Sequence, residues 1–78
     1  MGGGYRGQIK RACRELGRRG RTFDWVDVHN HIPKGAYHPT EWQLIRFLEH
    51  YPGVEVAEQG NRHRRTKYRL VRYRRKNP

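Results

Sequence analysis

A chain of 78 residues is long enough for one domain and too short for two. Its 18 Lys and Arg against 7 Asp and Glu give a net charge of +11, a self-repulsion that points to a polyanionic partner. A single cysteine, Cys13, and the lack of any apolar run near the roughly 20 residues of a membrane span exclude an intramolecular disulfide and a spanning segment, which fits an intracellular setting.

Met1-Gly-Gly-Gly-Tyr5 leads straight into a polar helical pattern, so residues 1–4 read as a flexible N-terminus and no secretory signal is expected. Gly2 does not read as a myristoylation site, because Arg6 stands where that motif wants Ser or Thr. The first helix is predicted over residues 5–16, with Ile9, Ala12, Cys13 and Leu16 on one apolar stripe and Arg6, Lys10, Arg11 and Arg14 around it. Gly17 is placed to end it. Residues 17–20 form a basic turn, and Arg21-Thr22-Phe23 a very short extended piece.

Asp24 reads as the N-cap of a second helix, Trp25 to about His31, with Asp27 near its positive end and Trp25, Val28 and Ile32 on one face. Pro33 and Gly35 stop that helix, and residues 33–38 turn the chain. A third helix is predicted from Pro39 or Thr40 to about Tyr51, closed by Pro52-Gly53. Leu44, Phe47, Leu48 and Tyr51 form its buried stripe, with Ile45 on the flank.

After Gly53 the period becomes alternating. Val54 and Val56 are expected to point one way, Glu55 and Ala57 the other. Gly60-Asn61 marks a reversal, and Thr66, Tyr68 and Leu70 then alternate with Lys67, Arg69 and Val71. The two strands predict a β-hairpin with a loop over about residues 59–64. Residues 72–78 read as a basic, mobile tail.

The order helix, short strand, helix, turn, helix, hairpin resembles the winged helix-turn-helix superfamily over about residues 5–71. The stretch that carries the resemblance is Trp42-Gln-Leu-Ile-Arg-Phe-Leu-Glu-His-Tyr-Pro-Gly-Val54, followed by the hairpin ending Tyr68-Arg-Leu-Val71. It implies an α+β domain of three helices with a C-terminal β-hairpin wing. It also implies a third helix that enters the major groove and a wing that reaches the backbone or minor groove.

Helical projection sets Trp42, Gln43, Arg46, Glu49 and His50 opposite the buried stripe. Gln43 has the chemistry to read adenine and Arg46 guanine; the plain alternative is a solvated face. Trp42 is expected to pack under the wing or against the second helix, or else to be a contact residue itself. At the wing tip Arg62, His63, Arg64 and Arg65 crowd one loop, where like charges repel unless phosphates intervene. A charged loop kept for solubility is the alternative there, and Tyr73 in the tail is available to stack on an unpaired base.

Charge is unevenly spread. Residues 5–21 hold seven basic side chains and only Glu15, and residues 61–78 hold nine basic and no acidic ones. Residues 22–60 are net acidic, with Lys34 and Arg46 against Asp24, Asp27, Glu41, Glu49, Glu55 and Glu58. Binding energy should therefore come mainly from the ends, which favours backbone contacts of weak sequence selectivity. The expected nucleic-acid contacts are Arg6, Lys10, Arg18, Arg19 and Arg21 in the first helix and its turn, then Lys34, Tyr37, His38 and Thr40 before the third helix. Gln43 and Arg46 on that helix follow, with Arg62, Arg64, Arg65, Lys67 and Arg69 in the hairpin.

His29 and His31 are two apart, so on a helix they point to nearly opposite faces, and His38, His50, His63 and Cys13 show no zinc-like spacing. Asp24 and Asp27 read as helix-start residues rather than an acid–base pair, and Gly2–Gly4 precedes no strand. No metal, cofactor or catalysis is expected. The function expected is that of a small basic protein binding double-stranded DNA, a transcriptional regulator or chromatin component in the cytoplasm or nucleoid (in the nucleus of a eukaryote). The alternatives are an RNA-binding, ribosome-associated protein, or an interaction module whose acidic middle docks a protein or a second copy.

Overall fold

Ile9, Ala12 and Cys13 are buried and Leu16 partly buried along one side of α1 (Gly4–Leu16), so helical spacing of apolar residues accounts for the first element. The computed structural model describes residues 4–33, 35 and 38–71. The basic tail with Tyr73, and the expected contacts Lys34 and Tyr37, lie outside the described residues. The helix begins at Gly4, one residue inside the segment expected to be flexible.

Gly17 ends α1 by donating its amide to the Cys13 carbonyl at 2.9 Å. Helix-ending glycines often take a left-handed conformation, yet its φ is −87°. What it supplies is room: a Cβ there would stand 2.6 Å from Leu70 Cγ. The reversal is made by the 3-10 turn Arg18–Gly20, where Arg19 (φ 62°) and Gly20 (φ 76°) are both left-handed. For the non-glycine Arg19 this costs roughly 1–2 kcal/mol.

The second helix, α2 (Trp25–His31), starts at a reciprocal cap. Asp27 N donates to Asp24 Oδ1 at 2.9 Å, and Asp24 N donates to Asp27 Oδ2 at 3.0 Å. The third, α3 (Glu41–His50), starts the same way: Gln43 N donates to Thr40 Oγ1 at 3.1 Å and Thr40 N to Gln43 Oε1 at 2.9 Å. Pro39 is therefore outside the helix rather than its first residue, and it is fully buried beneath the cap.

Strands β1 (Val54–Glu58) and β2 (Lys67–Leu70) pair antiparallel, with Val54 opposite Leu70 and Val56 opposite Tyr68. Phe23 adds a one-residue bridge on the far side of β2: its N–H donates to Tyr68 O at 3.0 Å, and Tyr68 N–H donates back at 2.7 Å. These elements make a mixed α+β arrangement of three helices and a two-stranded antiparallel hairpin. Ile9, Phe23, Val28, Leu44, Leu48 and Tyr68 meet in the core between helices and sheet.

The expected alternation in β1 fails after Glu55. A bulge between Val56 and Glu58 inserts Ala57, and Val56 is 48% exposed despite facing Tyr68. The reason is position: β1 is the edge strand, and its outer half runs beyond core cover. The hairpin loop also reaches Thr66, two residues further than expected, because Thr66 Oγ1 accepts from Gly60 N at 3.0 Å instead of joining β2.

Burial pushes the Cys13 thiol up to about 12, although Arg14 pulls it down. Cys13 is therefore expected to resist thiol-alkylating reagents at pH 8 in the folded state and to react at once in denaturant. Its labelling rate then reports how often α1 opens. Rapid labelling of folded protein would place the thiol outside the core.

Candidate nucleic-acid interface

α3 separates two grooves of opposite character. On one side, α1 contributes Tyr5, Arg6 and Lys10 and α3 contributes Trp42, Arg46 and His50 to a groove of about 500 Å³ floored by Phe47 and Tyr51. Among the described residues no acidic side chain lines it. On the other side, Glu41, Ile45 and Glu49 face the hairpin loop Gly60–Thr66 across a groove of about 420 Å³. Glu41 and Glu49 of the acidic middle thus lie on the hairpin side of α3.

Many hairpin cations already have carboxylate partners. Arg64 Nη1 meets Glu58 Oε2 at 3.0 Å, and Arg69 Nε meets its cross-strand neighbour Glu55 at 3.2 Å. Arg65 Nε donates to Asp24 Oδ2 at 3.1 Å, with Lys67 Nζ at 3.8 Å from the same oxygen. Burial raises the Asp24 pKa, but the Asp27 amide and then the Arg65 guanidinium outweigh it and hold the carboxyl below the usual range. Arg65 and Lys67 therefore fasten the hairpin to the start of α2. In the loop only Arg62 stands apart from any carboxylate among the described residues. Asn61 Oδ1 accepts from His63 N at 2.7 Å and Arg64 N at 3.1 Å, which shapes the tip.

The opposite holds around α1. Glu15 takes Arg11 at 3.4 Å and His31 Nε2 at 2.6 Å, and its pKa is lowered first by the His31 hydrogen bond and then by Arg11. Arg6, Lys10, Arg14 and Arg46 have no carboxylate within ion-pairing distance among the described residues, and neither do Arg18, Arg19 and Arg21. Arg18, Arg19 and Arg21 line neither groove beside α3; their turn packs against β2.

Comparison of the chain with protein-family models, with curated proteins and with solved structures finds no match.

Three further expected contacts are engaged internally. Thr40 and Gln43 hold each other in the α3 cap, and bidentate reading of adenine needs the same amide oxygen that Gln43 gives to Thr40 N. The half-buried His38 turns inward, where Nε2–H donates to Ile32 O at 3.2 Å and its ring lies 5.0 Å from that of His29. His29 thus faces His38 while His31 faces Glu15, and no group of three or more His, Cys, Asp or Glu is arranged to hold a metal ion among the described residues. Trp42 packs neither under the hairpin nor against α2. It is 67% exposed, with the Arg46 guanidinium 5.0 Å from its ring centre. Tyr5, Phe47, His50 and Tyr51 join the basic groove although the sequence reading did not count them as contacts. The signal for them was there in outline, an aromatic at each end of a cationic helix pair, but the pairing of α1 with α3 is needed to read it.

Proposed function

We propose that this chain is a winged-helix domain that binds double-stranded DNA, presenting the outer face of α3 to the major groove with flanking contacts from the start of α1 and from the hairpin loop. The observation that carries this reading is that exposed cations from three elements border one helix: Arg6 and Lys10 on one flank, Arg46 on α3 itself and Arg62 in the loop on the other. The Phe23 bridge to β2 supports the winged-helix assignment, because it supplies the short strand that the resemblance calls for between the first two helices.

The contacts favoured are to phosphates. Gln43 is held in its cap, and the hairpin-side groove of α3 carries Glu41 and Glu49, which repel a phosphate backbone. Phosphate contacts position a protein without specifying sequence. A chromatin-associated or architectural role fits this better than a sequence-specific regulator. No helix among the described residues is long and apolar enough to cross a membrane.

The test is titration of one duplex over a range of salt. Neutralising about six phosphates gives a slope of log K against log salt near −5. A slope shallower than about −2 would mean that charge is not the main driver of binding, and the proposal would fall.

A further inference from the structure

We infer that the groove between α1 and α3 is a site for an unpaired nucleotide, its base stacked on Trp42 and its phosphate held among Arg6, Lys10 and Arg46. The inference rests on the partner being a nucleic acid, not on that nucleic acid being a duplex.

Trp42 needs an explanation that the fold does not supply. An indole side chain left 67% exposed adds nothing to the core and leaves apolar surface in water. Neither the cap of α3 nor its buried stripe uses it: the cap is Thr40 with Gln43, and the buried residues are Leu44 and Leu48. Its one described ring contact is the Arg46 guanidinium at 5.0 Å. A cation over one face fixes the indole and leaves the other face to the solvent, which is the arrangement of a stacking platform.

Charge decides what the platform receives. Arg6, Lys10 and Arg46 line the groove with no carboxylate among them, whereas the groove across α3 holds Glu41 and Glu49. A peptide or a hydrophobic ligand has no need of three unpaired cations. A base joined to phosphate uses both parts. The volume, about 500 Å³, lies in the range of small-ligand sites and accepts a nucleotide. Lys10 Nζ, 5.9 Å from the Tyr51 ring centre, is held at the groove wall by that ring. Single strands bind through this combination of π-face and basic track, and every base has a π-face, so little sequence preference is expected.

The experiment is titration of the full chain with dye-labelled short oligo-dT, oligo-rU and a blunt duplex of mixed sequence, all at one salt concentration, with affinity read from the anisotropy of the dye and stacking from Trp emission of the parent. Expected results are quenching of Trp emission by the single strands and binding roughly 5- to 150-fold weaker after Trp42→Ala. Trp42→Leu should be as weak as Trp42→Ala, and Trp42→Phe should recover most of the affinity, since an aromatic face and not apolar area is what the site requires. Comparison of oligo-dT with oligo-rU tells whether DNA or RNA supplies the nucleotide. Thermal melts check folding of each variant, which the exposure of Trp42 should leave unchanged. Duplex binding with single strands neither bound nor quenching overturns this inference while leaving the proposed function standing. No binding to any of the three overturns both. A Trp42→Leu variant that binds single strands as well as the parent also overturns it, because stacking would then play no part.

Discussion

Asp24→Ala is expected to destabilise the fold by about 2–3 kcal/mol, more than the removal of any other single charged side chain. Two losses combine. The α2 cap disappears when Asp27 N loses its acceptor, and Arg65 and Lys67 lose the carboxylate that ties the hairpin to that helix. The ionic share is modest because Arg65 is more than half exposed. For a domain of this size the midpoint of thermal unfolding should fall by about 8–24 °C.

Asp24→Asn separates the parts, since Asn still caps a helix. It should lose only the ionic share. The pH dependence follows from the lowered Asp24 pKa. A carboxyl whose folded pKa lies below the unfolded value of about 3.9 contributes fully above that pH, and its contribution is lost as pH falls through the folded value. Denaturant melts at neutral and acidic pH should therefore converge for parent and Asn variant as Asp24 protonates. If Asp24→Ala melts with the parent at neutral pH, the hairpin is not anchored through this residue.

Replacing Arg6, Lys10 and Arg62 together by Ala should weaken duplex binding by roughly 100-fold at 0.15 M salt and make the salt slope shallower by about 2.7 if each meets one phosphate. Replacing Arg18, Arg19 and Arg21 removes the same charge from a turn that lines neither groove beside α3. With a screening length of about 8 Å at physiological salt, that second variant should bind more nearly like the parent. None of the first three side chains forms an ion pair with a carboxylate among the described residues, so folding should be unaffected. Equal losses in the two variants would mean that total charge matters and its placement does not.

What could be read in the sequence was whatever is settled within a few residues. α2 is bounded by Asp24 before it and Ile32-Pro33 after it, and it runs Trp25–His31 as the local signals require. The Thr40-x-x-Gln43 pair is also legible as a capping box, and the cap engages the amide oxygen that reading adenine would need. Other features depend on the chain meeting itself. Arg65 finds Asp24 across 41 positions, so a side chain expected to be available to phosphate proves to be a fastening. For Trp42 the sequence leaves two outcomes open, cover by the wing or the second helix or a contact role of its own, and only the placement of α1 and the hairpin on either side of α3 shows it exposed. The bulge at Ala57 likewise has no signature in an alternating run that continues on paper through Val56.

That bulge bears on how the protein behaves at high concentration. An edge strand exposes a row of backbone donors and acceptors on which a second chain can add, the first step toward domain swapping or fibrils. β1 is such an edge, since Phe23 occupies the far side of β2 and nothing among the described residues pairs with the outer side of β1. The extra residue between Val56 and Glu58 breaks the regular spacing of those groups, and Glu55 and Glu58 set charge along it. An incoming copy of β1 would meet a kinked rim whose carboxylates are already held by Arg69 and Arg64, so the bulge disfavours association through this strand even though Val56 leaves an apolar side chain in reach.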